Sequence, residues 1–92
     1  MSIEDVLLYV EILLMNDFNP VFIDVQVQNG FIYIFIACNQ FKHYSISERI
    51  ESIFSLLKID CPDIIAKFPV IVEAFDGDEL QELMRNANQK LL

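Results

Sequence analysis

The chain has 92 residues, 54% hydrophobic and 22% charged, which suits one domain spanning 1–92 and is too apolar for a disordered chain. Its 2 Gly and 3 Pro leave little room for long irregular stretches, and 2 Cys are too few for a disulfide-stapled miniprotein. Fourteen acidic against six basic residues give a net charge of −8, which opposes non-specific binding to nucleic acid or to an anionic membrane.

Ser2 to Asn16 reads as a helix, with Ser2 as its cap and Asp5 three residues on. Ile3, Val6, Leu7, Val10, Leu13 and Leu14 form one stripe, and Leu8, Tyr9, Ile12 and Met15 widen it. A helix apolar over so much of its girth is expected to be deeply buried or covered by a partner. Asn19-Pro20 ends it, because proline disfavours helix before it. Acid stands at Glu4 and Asp5, where a secretory signal needs base. No run reaches the roughly 18–20 apolar residues that span a bilayer. A cytoplasmic protein is therefore expected, with no membrane contact and with Cys38 and Cys61, which lack CxxC spacing, as reduced thiols.

Val21 to Gln28 alternates as a strand, Asn29-Gly30 is the strongest two-residue signal for a type I′ hairpin, and Phe31 to Cys38 returns. A two-residue turn pairs Gln28 with Phe31 and Val27 with Ile32. That register puts Val21, Ile23, Val25, Val27, Ile32, Ile34, Ile36 and Cys38 on one aliphatic face. Phe22, Asp24, Gln26, Gln28, Phe31, Tyr33, Phe35 and Ala37 share the other, which is aromatic and polar together. Ser45, with Glu48 completing a capping box, opens a helix whose apolar side is Ile46, Ile50, Ile53, Phe54 and Leu57. Its wet side is Glu48, Arg49, Glu51, Ser52, Ser55 and Lys58. Cys61-Pro62-Asp63 starts a short helical turn through Ala66. Val70 to Phe75 reads as a third strand, and a last helix beginning at Asp76 or just after carries Leu80, Leu83, Met84, Ala87 and Leu91 at helical spacing. A right-handed crossover sets the third strand parallel to the second. The fold expected is α+β, a two-layer sandwich of order αββα(α)βα, with a three-stranded mixed sheet and helices mainly on one face.

No pattern for catalysis emerges. His43 is the only histidine, and neither Cys38, on the core face, nor Cys61 has a nucleophile signature near it. The acids Glu73, Asp76, Asp78, Glu79 and Glu82 suit a first helical turn and its dipole. Asp76-Gly77-Asp78 lacks the register of a calcium loop, and Cys38, His43, Asp60 and Cys61 have no metal-ligand spacing. Gly30 and Gly77 are isolated, so no phosphate loop forms. Aromatics on a sheet face do stack bases in some RNA-binding domains, but here Asp24 lies on that face and the net charge repels phosphate. No enzyme activity, cofactor or metal is expected, and nucleic acid is a disfavoured partner.

The order helix, hairpin, helix, short helix, strand, helix resembles that of BolA-like and type II KH-like domains. Asn19-Pro20-Val21-Phe22 resembles the segment leading into the BolA-like first strand, and Phe41, Ser45 and Arg49 fit that family's F-x3-S-x3-R pattern. BolA-like proteins follow that arginine with a histidine, here Ile50, and carry another near the third strand, here Phe68-Pro69-Val70. Those histidines serve an iron–sulfur cluster shared with a glutaredoxin partner. KH domains that bind nucleic acid use a GxxG loop, and Lys58 to Lys67 contains no Gly. The resemblance thus implies a fold more than an activity, with a regulator acting beside an iron–sulfur partner or RNA as the alternative function.

The leading expectation is a non-enzymatic, acidic protein-interaction module. Its interface set is Phe22, Asp24, Phe31, Tyr33, Phe35, Ile71 and Phe75. These rings either form core beneath the first helix or form an open face, and the open face is favoured because so large an aromatic patch with a polar rim suits a binding surface. A homodimer that packs this face on itself is expected, alongside a protein partner. Lys42, His43 and Arg49 are further candidate partner contacts.

Overall fold

The computed structural model describes residues 2–90. The elements are α1 (Ile3–Phe18), β1 (Phe22–Gln28), β2 (Phe31–Ala37), a 3-10 turn (Asn39–His43), α2 (Ile46–Asp60), α3 (Pro62–Lys67), β3 (Val70–Phe75) and α4 (Gly77–Lys90). This is the α+β arrangement expected. Leu91, assigned above to the last helix, lies outside the described residues.

Local chemistry accounts for the boundaries. Ser2 caps α1 through a full capping box with Asp5. The helix runs two residues past the expected end because Asn19 adopts a left-handed conformation, φ 46°, and donates its N–H to the Met15 carbonyl. Ser45 and Glu48 form the same box at α2. Pro62 begins α3 where its missing N–H costs nothing. At the head of α4 the Asp76 carboxylate accepts from the Glu79 N–H at 2.8 Å, and Glu79 accepts from the Asp76 N–H at 2.7 Å.

The sheet has the order β1-β2-β3. β1 and β2 are antiparallel, paired from Gln28 with Phe31 to Phe22 with Ala37. Asn29 and Gly30 make the turn with φ of 54° and 81°, both positive as a type I′ bend requires. β3 lies parallel to β2, with Ile32 opposite Val70 and Ala37 opposite Phe75. Val21 proves to stand outside the sheet, exposed, because the ladder ends at the Phe22–Ala37 pair; its N–H donates to the Ala37 carbonyl at 2.8 Å.

The core lies on the aliphatic face. Ile32, Ile34 and Ile36 meet Val6, Val10 and Leu14 of α1, Ile53 and Leu57 of α2, and Cys38, Phe41, Cys61 and Ala74. Burying each large aliphatic side chain here contributes roughly 1.5–3 kcal/mol, so three buried positions fix the roll of α1. Leu13 and Phe18 pack at its edge, but not all of its apolar residues are absorbed: Ile3, Leu8, Tyr9, Ile12 and Met15 are exposed. The 3-10 turn, which periodicity does not announce, delivers Phe41 to the centre of the core, fully buried.

Two assignments on α2 require correction. Ile46, expected inward, is exposed, and Arg49, expected in solvent, is buried at 5% exposure. A stripe built by counting apolar residues cannot register a buried cation. Arg49 turns inward because acceptors wait for it: Nε donates to the Tyr44 carbonyl at 3.1 Å, and Nη1 donates to the Ala74 carbonyl at 3.2 Å and to the Glu79 carboxylate. Asp76 stands 3.8 Å from Nη2.

Candidate protein-interaction surface

The hairpin register and the parallel pairing set the second face of the sheet in four cross-strand rows. Phe22, Ala37 and Phe75 form the first, Asp24, Phe35 and Glu73 the second, Gln26, Tyr33 and Ile71 the third, and Gln28 and Phe31 the last. Period-two alternation sends all of them to one side. Every residue of the expected interface set therefore shares one surface. Phe22 is 47% exposed, Ile71 40%, Phe31 38% and Tyr33 36%. Phe35 and Phe75 are half-buried.

The rings organise one another. Phe35 packs 4.9 Å from Phe75 between centroids and 5.6 Å from Phe22, the latter edge to face. Tyr33 meets Phe31 at 6.4 Å. Offset and edge-to-face ring pairs of this kind each contribute about 0.5–1.5 kcal/mol beyond their area burial. A polar ladder runs beside them. Gln28 Nε2 donates to Gln26 Oε1 at 2.9 Å, and Gln26 Nε2 donates to the Asp24 carboxylate at 2.6 Å.

The first helix does not cover these rings; it packs on the opposite face. Instead α4 stands beside them. Its apolar side, Leu80, Leu83, Met84 and Ala87, lines with Phe22, Asp24 and Phe35 an open groove of about 440 Å³. Leu83 and Met84 are exposed. The α4 stripe was visible in the sequence, but nothing in its spacing told which face of the sheet it would border. A second hollow, about 210 Å³, lies between Asp24, Gln26, Gln28, Tyr33, Phe35, Ile71 and Glu73.

Lys42, His43 and Arg49 do not join this surface. Lys42 and His43 are exposed on the 3-10 turn, and Lys42 lies 4.0 Å from the Asp78 carboxylate. Arg49, as a buried anchor, is withheld from any partner. The thiols are equally withdrawn. Burial pushes the Cys38 thiol up to about 11, and burial together with the charge of Asp60 raises that of Cys61. Thiolate, the nucleophilic form, is therefore scarce near neutral pH. Among the described residues, no three His, Cys, Asp or Glu side chains are placed to hold a metal ion, and no helix is long and apolar enough to cross a membrane.

No family model matches the sequence, and no curated protein is similar to it. Solved structures are similar in fold. The BolA domain of SufE1 from Arabidopsis thaliana superposes with a TM-score of 0.69 at 15% identity, covering 85% of this chain and 99% of that one. BolA1 from Arabidopsis thaliana gives 0.67 at 11% identity, covering 79% of this chain and 93% of that one. The chain has a BolA-like fold. The positions where the sequence resemblance sets BolA-like histidines are apolar here: Ile50 is half-buried, and Phe68 and Val70 pack against the core. None of these three side chains carries a metal-donor atom.

Proposed function

We propose that this chain is a non-catalytic protein-interaction module that works through the aromatic face of its sheet, in the cytoplasm. The observation that carries the reading is the continuity of that face. Exposed rings on β1 and β2, with Ile71 and the half-buried Phe75 on β3, run into the apolar groove beside α4, with the layer of helices on the other side. Aromatic residues on a fixed strand scaffold, rimmed by glutamines and carboxylates, have the composition of a binding surface. A monomer rarely leaves such a patch, on the order of several hundred Å², uncovered. In the absence of another partner, a second copy covers it, giving a homodimer; with one, the face binds and regulates a partner protein. Buried, unpaired thiols at Cys38 and Cys61 support a reducing compartment.

Light scattering on the full chain tests the pairing. The wild type is expected at twice the chain mass, and Tyr33→Lys, at an exposed ring, as a folded monomer by circular dichroism. Tyr33→Lys with Phe35→Lys acts more strongly but intrudes on the Phe22–Phe35–Phe75 packing, so the single variant decides. A folded Tyr33→Lys protein with undiminished dimer mass contradicts the reading.

A further inference from the structure

We infer that the partner taken by the aromatic face is a basic amphipathic protein segment, its arginine or lysine seated between Asp24 and Glu73 over the Tyr33 and Phe35 rings and its neighbouring apolar side chain in the groove beside α4. This rests on the reading of that face as the interaction surface and adds the chemistry of what it binds.

Charge carries the argument. Asp24 and Glu73 stand opposite Phe35 on its two sides, on the strands flanking β2. Two strand spacings set their backbones about 10 Å apart, so a carboxylate stands at either side of one ring. None of the three strands contains a lysine or arginine. Among the described residues, neither carboxylate is paired with a cation. The hollow of about 210 Å³ between them has a floor of Tyr33, Phe35 and Ile71. The Gln28–Gln26–Asp24 ladder holds one of its two acids in place. An aromatic floor with acidic walls suits a planar guanidinium, which stacks on rings while donating sideways to carboxylates.

The adjoining groove has different chemistry. Leu80, Leu83, Met84 and Ala87 of α4 face Phe22 and Phe35 across it, and Asp24 and Phe35 belong to both hollows. One bound segment therefore meets an acidic, aromatic hollow and an oily one side by side. A second copy of this chain covers the same rings at an electrostatic cost, since it brings its own Asp24 and Glu73 toward the same acids. The basic segment satisfies both hollows and displaces the copy.

The test is a titration of the ¹⁵N-labelled full chain, at low salt, with two blocked synthetic peptides, one alternating Arg and Leu and the other Glu and Leu. The Arg–Leu peptide is expected to move amide signals along β1, β2, β3 and α4, and the Glu–Leu peptide to leave them in place. Asp24→Asn with Glu73→Gln should weaken the Arg–Leu peptide by about tenfold or more, whereas the charge-matched pair Glu4→Gln with Glu51→Gln, on helices of the other layer, should not. Equal binding of both peptides at this face would overturn the cation assignment and leave the surface intact. Equal weakening by both double variants would reduce the effect to bulk charge and overturn it too. Shifts confined to α1 would remove the surface itself.

Discussion

Arg49 ties three segments of the molecule together with one guanidinium. It reaches the carbonyls of Tyr44 and Ala74 and the carboxylate of Glu79, with Asp76 nearby, and lies 5.9 Å from the Phe41 ring centroid. It thereby holds the start of α4 against α2 and the end of β3, and so holds one wall of the apolar groove. Arg49→Ala is expected to destabilise the fold by about 2–4 kcal/mol in urea unfolding, because it strands buried acceptors. The half-exposed Glu79 carboxylate keeps the cost at the lower end of what a wholly buried pair would show. Arg49→Lys should recover little, since one ammonium cannot span acceptors on three segments. At Cys38 the raised thiol sets a sign. The unfolded thiol ionises near its ordinary value of 9.0 and the folded one near 11. The stability this contributes is present below pH 9 and lost as pH rises toward 11. The stability of wild type relative to Cys38→Ala should fall across that window, and alkylation of Cys38 at neutral pH should be slow in the native protein and fast in urea. Fast native alkylation would reopen thiol chemistry that its burial argues against. The sequence motif that marked Arg49 was legible. Its burial was not, because a buried cation looks like a surface residue until its acceptors, 5, 25 and 30 residues away, are brought to it.

Elements differ in how openly they declare themselves. The hairpin's turn and register were readable, because Asn29-Gly30 admits a two-residue bend and strict alternation then assigns the paired side chains; Val21, beyond the last pair, was the position it misplaced. Gly30→Ala forces a side chain into φ of 81° and should cost about 1 kcal/mol, measured by thermal unfolding with strand register unchanged. A much smaller loss would indicate that the bend is not held in the I′ conformation. β3 was equally plain. The 3-10 turn was not, since one buried Phe41 in five residues has no period. The first helix was half legible: its excess of apolar residues announced that something remains uncovered, and Leu8, Ile12 and Met15 do form an exposed outer stripe. Spacing alone could not say which stripe the sheet would take.

The molecule as a whole is a slab, with principal extents of 42 × 29 × 20 Å. A sheet and one layer of helices about 10 Å above it fill the smallest dimension, which leaves the aromatic face without a layer of its own beyond the flanking α4. Two-layer architecture was deducible from element order; that α4 would border the rings and turn a flat patch into a groove was not. Salt should act on the two proposed uses of this face in opposite senses. Screening Asp24 and Glu73 relieves repulsion between copies and strengthens the homodimer, while it weakens capture of a basic segment. Two apolar surfaces on opposite sides compete for the role of interface, and one measurement separates them. Hydroxyl-radical footprinting of the full chain at low and high protein concentration reads both at once. Protection that grows with concentration at Phe22, Phe31 and Tyr33, with Leu8, Ile12 and Met15 oxidised at a constant rate, is the predicted result; protection of the α1 stripe with the sheet rings unchanged would contradict it.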